Sequence, residues 1–281
     1  MIFGEHAKCQ AEAEYPELWQ GLVGAWSPCL SPRGGTVLRD LSGRGNHGTL
    51  TNMDPETDWV FSGGRSALDF DGTNDHVSLS NPSRLTAYTH GWLSLWLITR
   101  APTASDSCYF SVVGNESSGQ NLFIVEHANT SGALRLLARP NSGTTLDCNS
   151  GNGFIVGDVV QHWGVYMPPN GGAQFWKNGV QVATSYVTGN SSTVAWFSTI
   201  GTAVASYLCR MVTIATRYAN CIVHDFVIGV GPPNFPLMYR LGPGGWATPR
   251  RRRWGYVTAQ TAIPYWVFAR KNARLIGGGV T

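Results

Sequence analysis

A short run of acidic and amide side chains at residues 71–75, DGTND, has the composition of a cation site. Asp71, Asn74 and Asp75 would offer carboxylate and amide oxygens within one loop, and Ca²⁺ binds about six to eight such hard oxygen ligands. The same residue types also accept hydrogen bonds from the backbone of their own turn. The run therefore predicts either a calcium site or a turn closed by its own side chains, and the sequence leaves both open.

The arrangements that carry common hydrolytic chemistry are missing from the sequence. Glycoside hydrolysis needs two carboxyl groups about 5 to 9.5 Å apart, and the two mid-chain glutamates, Glu116 and Glu126, fall in separate predicted segments. There is no Gly-x-Ser-x-Gly elbow, and the histidines show no zinc-binding spacing. GRGNHG (43–48) matches a dinucleotide fingerprint, but no helical period follows it. The sequence therefore predicts no catalytic residue and a protein that is not an enzyme.

Eleven tryptophans supply many rings that either pack in a core or stack on a ligand. Trp59 and Trp246 fall in loop-like stretches, where an exposed ring can contact the apolar face of a sugar or a partner protein. We therefore predict these two as ligand-binding residues. Four other tryptophans fall on predicted strands and are expected in the core: Trp92, Trp96, Trp163 and Trp176.

Charge is distributed unevenly along the chain. Residues 1–225 hold twelve Lys/Arg and seventeen Asp/Glu, whereas residues 226–281 hold eight Lys/Arg and no acid. A segregated basic end favours contact with an acidic surface. Its arginine run is followed by aromatic residues, a mixture typical of protein interfaces, so a protein partner is favoured over nucleic acid. The predicted partner-binding residues are Arg250, Arg251, Arg252, Arg253, Trp254 and Tyr256.

The elements that must position these residues are short strands. Alternating or β-branched runs recur between stretches of glycine, asparagine, serine and proline, and no long amphipathic segments separate them, which favours antiparallel sheets. Asn178-Gly179, within AQFWKNGVQVA (173–183), predicts a tight hairpin turn. A helical turn is expected at residues 236–241. The predicted strands lie at residues 21–26, 67–70, 76–79, 91–97, 109–114, 121–127, 133–139, 161–167, 173–183, 196–201 and 221–230.

The predicted fold class is all-β, a two-sheet antiparallel jelly-roll sandwich of the concanavalin-A-like kind with N- and C-terminal extensions. Its motifs resemble the laminin-G-like or concanavalin-A-like superfamily over roughly residues 20–242. LRDLSGRGNHGTL (38–50) is similar to that family's Asp-Ser-Gly-x-Gly-Asn-His-Gly loop, and ALDFDGTNDHVSL (67–79) to its Phe-Asp-Gly-x-x-Asp-Tyr-Val hairpin. GLVGAW (21–26), the 161–183 strands and HDFVIGVG (224–231) stand where the family has its first, middle and closing strands.

This resemblance implies binding of carbohydrate or protein, often with a calcium ion at a loop edge, and it sets the predicted domain limits. Residues 1–19 form an N-terminal extension, residues 20–242 the jelly-roll domain, and residues 243–281 a basic arm that makes assembly contacts. The superfamily also contains glycoside hydrolases, but the Glu-x-Asp-x-x-Glu strand by which its sandwich glycosidases resemble one another is missing here. The fold therefore leaves the function open.

The function predicted from these features is a non-enzymatic structural protein, a phage virion surface subunit such as a capsid decoration or fibre protein. Its arm would dock onto neighbouring copies in a homo-oligomer or larger assembly. The first 19 residues lack a signal-peptide pattern, so the expected location is a virion released by lysis, with an extracellular location as the alternative. No apolar run is long enough to span a membrane. The second function is a carbohydrate-binding lectin that contacts surface glycans, and a glycoside hydrolase is the third.

Overall fold

The computed structural model describes residues 15–100, 107–115, 120–128, 132–141, 143–211 and 217–247. This part of the chain is almost entirely β-structure in two large antiparallel sheets, which confirms the predicted jelly-roll sandwich. The helices are α1 (Pro16–Trp19) and α2 (Phe235–Leu241), with 3₁₀ turns at Pro28–Leu30, Pro82–Ala87, Phe197–Ile200 and Gly245–Ala247. The strands are β1 (Leu22–Trp26), β2 (Val37–Leu38), β3 (Gly48–Thr51), β4 (Trp59–Ser62), β5 (Arg65–Asp71), β6 (His76–Leu79), β7 (Gly91–Thr99), β8 (Ser107–Val113), β9 (Leu122–Ala128), β10 (Ala133–Arg139), β11 (Leu146–Asn149), β12 (Val160–Met167), β13 (Gln174–Lys177), β14 (Val180–Val182), β15 (Ser185–Thr188), β16 (Ala205–Leu208), β17 (Arg210–Met211), β18 (Arg217–Tyr218) and β19 (Asn220–Gly229).

The first sheet has eight strands in the order β14-β13-β12-β7-β19-β5-β4, and β1 pairs with the second half of β19. The second has nine strands in the order β15-β11-β10-β9-β8-β16-β6-β3-β2. β17 and β18 form a separate small hairpin. Strands that are neighbours in a sheet are often distant in sequence, so each sheet brings together side chains that the chain order separates.

Most of the predicted elements are present where the sequence placed them. Asn178 and Gly179 have φ values of 51° and 77°, which confirms the tight turn between β13 and β14. The helical turn predicted at residues 236–241 is α2. The strand predicted at 196–201 is wrong, because Phe197 and Ile200 are buried three residues apart on a 3₁₀ turn.

Aromatic side chains fill the space between the sheets. Trp26 on β1 stacks on Phe226 of β19, with ring centroids 5.3 Å apart. Phe226 in turn meets Phe110 of the other sheet at 4.8 Å. These side chains are fully buried, and the burial of each large aromatic side chain stabilises the fold by about 3 kcal/mol. This layer is the main core, and the loops at its ends are held in place by it.

The outer face of the eight-stranded sheet is covered by the two helices and the turn at Gly245–Ala247. Phe235 packs against Trp92 of β7, and Trp19 lies 5.4 Å from Trp246, centroid to centroid. The indole N–H of Trp19 also donates to the Trp246 carbonyl at 3.2 Å. The described parts of both predicted extensions, residues 15–19 and 243–247, therefore pack on the sandwich. Residues 248–281 lie outside the described residues.

In the described part of the chain, none of the helices has the length and apolar character that a membrane span requires.

A buried carboxylate lies under this cover, and it makes stability depend on pH. Burial raises the pKa of Asp225 to about 6, although hydrogen bonds from Ser27 and the Gly244 backbone oppose the shift. A raised folded-state pKa stabilises the fold below about pH 4, and this contribution is lost as the pH rises through about 6.

We expect Asp225→Asn to lack this contribution, because an amide does not ionise. The free energy of unfolding of the native chain, minus that of the variant, should fall by about 3 kcal/mol between pH 3.5 and pH 7. Urea denaturation at several pH values measures it, and exposed Asp158→Asn serves as the control. A difference that stays constant with pH contradicts the prediction.

Candidate functional site

The loop at residues 40–47, here called the Asp40 loop, is organised by one buried carboxylate. Asp40 Oδ1 accepts hydrogen bonds from the backbone N–H of Ala25 at 3.0 Å and of Ser42 at 2.9 Å. Its Oδ2 accepts from the Ser42 hydroxyl and from the Asn46 N–H, both at 2.9 Å. Four hydrogen bonds to one charged group tie the loop both to itself and to β1.

Asn46, also in the Asp40 loop, is held from two sides. Its carbonyl accepts from the indole N–H of Trp26 at 2.8 Å, so the loop is attached to the main core. Its side-chain Oδ1 accepts from the backbone N–H of Asn81 at 2.9 Å, and this contact fixes the orientation of the amide. The amide Nδ2 is buried and has no hydrogen-bond partner. A buried donor left unpaired costs about 1 to 3 kcal/mol, so this atom requires an explanation.

Asn46 lines a depression of about 420 Å³ between the Asp40 loop and the 3₁₀ turn at Pro82–Ala87. Arg44, Arg84 and the half-buried ring of Tyr88 complete most of its wall. Arg44 Nε donates to the Leu22 carbonyl at 2.7 Å, and Arg84 donates to the Arg44 carbonyl. We call this feature the Arg44–Arg84 depression.

The two guanidinium groups of the depression are exposed and carry no ion pair with any acid of the described residues. A guanidinium has five N–H donors, and each of these two has a single recorded hydrogen bond, to a carbonyl. The arrangement therefore offers two positive charges, a neutral amide donor and an aromatic ring around one cavity. It is suited to binding an oxygen-rich ligand.

A second polar cluster lies on the outer face of the nine-stranded sheet. Arg135 on β10 bonds to Glu126 Oε1 at 2.8 Å and to Asp147 Oδ2 at 2.6 Å, and Arg217 of β18 bonds to the other oxygen of Glu126. The ion pair between Arg217 and Glu126 attaches the β17–β18 hairpin to β9.

The same hairpin is fastened at its other strand. Arg210 of β17 donates to His76 Nε2 of β6 at 3.0 Å and lies over the Tyr207 ring, 4.7 Å from its centroid. Its carbonyl accepts from the Ser111 hydroxyl of β8 at 2.6 Å. The described part of the hairpin is thus attached to β6, β8 and β9 on this face.

The predicted calcium residues lie together in one turn but make hydrogen bonds within it. Asp71 Oδ1 accepts from the N–H of Thr73 at 2.6 Å, and Asp75 Oδ2 accepts from the N–H of Asp71 at 3.2 Å. The Asn74 carbonyl accepts from the Asn52 amide, and it also contacts His76 Nδ1. Within the described ranges, no group of three or more His, Cys, Asp or Glu side chains could hold a metal ion. Calcium binding stays a prediction, which the melting temperature with and without a chelator would test.

The prediction that Trp59 and Trp246 present exposed rings is wrong. Trp59 belongs to β4 and is 2 % exposed, with its indole N–H donating to the Gly35 carbonyl at 2.9 Å. Trp246 is 3 % exposed beneath Trp19. The stretches around both tryptophans have the composition of loops because the strand or turn that contains each of them is short. Tertiary packing then covers the two rings. The core positions predicted for Trp92, Trp96 and Trp163 are confirmed by burial, and Trp176 is half-buried.

The partner-binding residues predicted in the basic arm lie outside the described residues, and their role stays a prediction. They are Arg250, Arg251, Arg252, Arg253, Trp254 and Tyr256.

Sequence reasoning missed the Arg44–Arg84 depression. It treated GRGNHG only as a glycine-rich turn, although the two arginines and the asparagine that line the cavity are all present in the sequence. The available signal was the motif at residues 38–50, whose Asp and Asn in the family-like pattern are Asp40 and Asn46. Nothing in the sequence placed Arg84 beside it.

Comparison with known proteins shows the fold and no family. No family model and no curated protein matches the chain. A Trypanosoma rangeli sialidase in complex with 2,3-difluorosialic acid is 14 % identical with a TM-score of 0.56, covering 85 % of this chain and 38 % of the sialidase. The receptor-binding domain of a botulinum neurotoxin mosaic serotype C/D is 10 % identical with a TM-score of 0.55, covering 79 % and 51 %.

A carbohydrate-binding module, the CBM40 of a Ruminococcus gnavus IT-sialidase bound to α2,3-sialyllactose, is 15 % identical. The match has a TM-score of 0.48 and covers 62 % of this chain and 95 % of the module. The chain thus spans much less of the sialidase and toxin structures than of this module. At these identities the similarity establishes an antiparallel β-sandwich and nothing of its ligand.

We expect Asp40→Asn to destabilise the protein, because an amide would place N–H groups against the N–H donors of Ala25 or Asn46. The loss should be about 2 to 3 kcal/mol in the free energy of unfolding, measured by denaturant titration. Ser42→Ala removes the hydrogen bond from the Ser42 hydroxyl to Asp40 and should lower the free energy of unfolding by about 1 kcal/mol. Equal stability of Asp40→Asn and the native chain would refute the role assigned to this carboxylate.

Proposed function

We propose that the protein is a carbohydrate-binding module of the laminin-G-like kind, without catalytic activity, and that the Arg44–Arg84 depression is its saccharide site. The observation that carries this proposal is that Asn46, whose buried Nδ2 is a donor without a partner, lines the same cavity as Arg44, Arg84 and Tyr88. A saccharide hydroxyl or carbonyl oxygen would accept that hydrogen bond. This would recover the free energy that the unpaired donor costs.

The other lining groups support the same ligand class. Saccharides combine apolar C–H faces with dense oxygen acceptors, so their sites pair an aromatic ring with several donors. Tyr88 supplies the ring, and Arg44 and Arg84 supply the donors. Because Asp40 and Trp26 hold the loop, little ordering remains to occur on binding, and a preformed site binds more tightly.

The fold agrees with this proposal, since the sandwich is shared with a Trypanosoma rangeli sialidase in complex with sialic acid, at a TM-score of 0.54. The proposal of a non-catalytic role has its support in the Glu126 cluster. Its carboxylates are already engaged in ion pairs with the guanidiniums of Arg135 and Arg217.

A glycan array with the full-length chain tests the proposal. We expect binding to at least one saccharide class, and Tyr88→Ala should weaken it about tenfold because the ring contact is lost. Tyr88→Phe keeps the ring and should bind like the native chain, which separates stacking from loss of folding. Failure to bind any saccharide on a broad array would contradict the proposed function.

A phage virion surface subunit is the second proposal, and the basic arm supports it. Residues 226–281 hold eight Lys/Arg and no acid, against a net charge of −5 for the rest of the chain. Such an arm would bind the acidic body of a neighbouring copy in a capsid or fibre. The jelly roll would then present its saccharide site outward.

We expect deletion of residues 249–281 to abolish self-association while leaving a folded sandwich. Mass photometry reports the assembly, and circular dichroism with a melting curve reports folding. A truncated chain that assembles like the full-length protein would count against the virion proposal. A native chain that stays monomeric would also count against it.

A further inference from the structure

We propose that the ligand of the Arg44–Arg84 depression is an anionic saccharide, whose carboxylate or sulfate group binds the guanidiniums of Arg44 and Arg84. This inference rests on the proposed function and names the ligand class of the same site. It depends on charge, which the general proposal of saccharide binding does not require.

The positive charges of Arg44 and Arg84 are not neutralised by an acid of the described residues. Some other arginines form ion pairs: Arg100 pairs with Asp69, and Arg135 pairs with both Glu126 and Asp147. Arg44 and Arg84 instead share one cavity, with no described carboxylate within 4.0 Å of either guanidinium. An anion bound in the cavity would therefore be favoured by both positive charges.

Backbone carbonyls hold the side chains of Arg44 and Arg84 in place. Arg44 is held through Nε by the Leu22 carbonyl, and Arg84 is held through Nη1 by the carbonyl of Arg44 itself. These contacts use one N–H group of each guanidinium and leave the other N–H groups for a ligand. Guanidinium N–H groups form parallel pairs of hydrogen bonds with carboxylate and sulfate oxygens, and an ammonium group cannot reproduce this geometry.

Two other residues of the depression distinguish a saccharide from a bare anion. Asn46, whose amide is unpaired, and Tyr88 also line the depression, and a simple inorganic anion held by the arginines would make no use of the Tyr88 ring. A sugar that carries an acidic substituent satisfies all four groups at once. Its ring contacts Tyr88, one of its hydroxyls accepts from Asn46, and its anionic group binds the arginines.

The experiment compares matched probes on the full-length chain. Surface plasmon resonance is measured with 3′-sialyllactose and lactose, and with a sulfated oligosaccharide and its unsulfated parent. We expect at least one anionic probe to bind about tenfold more tightly than its neutral parent. The comparison of the carboxylated and sulfated probes identifies which anion the site prefers.

Variants then locate the effect. Arg44→Gln and Arg84→Gln should each reduce binding of the anionic probe about tenfold, with little change for the neutral one. Arg84→Lys keeps the positive charge but loses the paired N–H donors of the guanidinium. Its affinity for the anionic probe should lie between those of the native chain and Arg84→Gln. Arg240→Gln removes an exposed positive charge on α2 and should bind like the native chain. Melting curves of all variants show that they fold.

Four other outcomes would overturn this inference. Equal binding of the anionic and neutral probes, lost in Tyr88→Ala, overturns this inference and leaves the proposed function intact. Anionic binding that survives in both Arg44→Gln and Arg84→Gln overturns it as well. Displacement of the saccharide by inorganic sulfate at the same low concentration means that the site recognises only the anionic group, and it overturns the inference that an acidic saccharide is the ligand. No binding of any saccharide overturns the proposed function together with the inference.

Discussion

The carboxylate of Asp40 is the constraint on which the candidate site depends. It is buried, and it accepts four hydrogen bonds from three residues, two in its own loop and one on β1. Without it the backbone N–H groups of Ala25 and Asn46 would be buried without acceptors. A glycine-rich loop has high conformational entropy when free, so one well-satisfied charged group converts it into a rigid surface.

That rigidity determines what the neighbouring groups can do. Asn46 lies between the Trp26 indole and the Asn81 backbone, so its side chain cannot turn to find a partner for Nδ2. The molecule therefore retains an unsatisfied donor beside two unpaired guanidiniums. Buried polar groups are nearly always satisfied in folded proteins, and exceptions occur where a ligand completes the set. The arrangement at this loop is consistent with such a role.

The architecture also explains why the site lies at a loop end. One outer face of the sandwich is covered by α1, α2 and the turn at Gly245–Ala247, and the other is crossed by the β17–β18 hairpin. Arg210 and Arg217 attach that hairpin to strands of the sheet, the first by a hydrogen bond to His76 and the second by an ion pair with Glu126. The Arg44–Arg84 depression is lined by residues of two connecting segments, the Asp40 loop between β2 and β3 and the 3₁₀ turn between β6 and β7.

The amino-acid sequence by itself determined the class of fold and much of its detail. Alternation of apolar residues, the Asn178-Gly179 turn and the motif at residues 38–50 depend on local backbone preferences, and local preferences can be read in chain order. Only the tertiary structure decided that Trp59 and Trp246 are buried and that Arg84 lies beside Arg44, forty positions away. Burial and proximity depend on strand order and register across two sheets, and no short stretch of sequence encodes either.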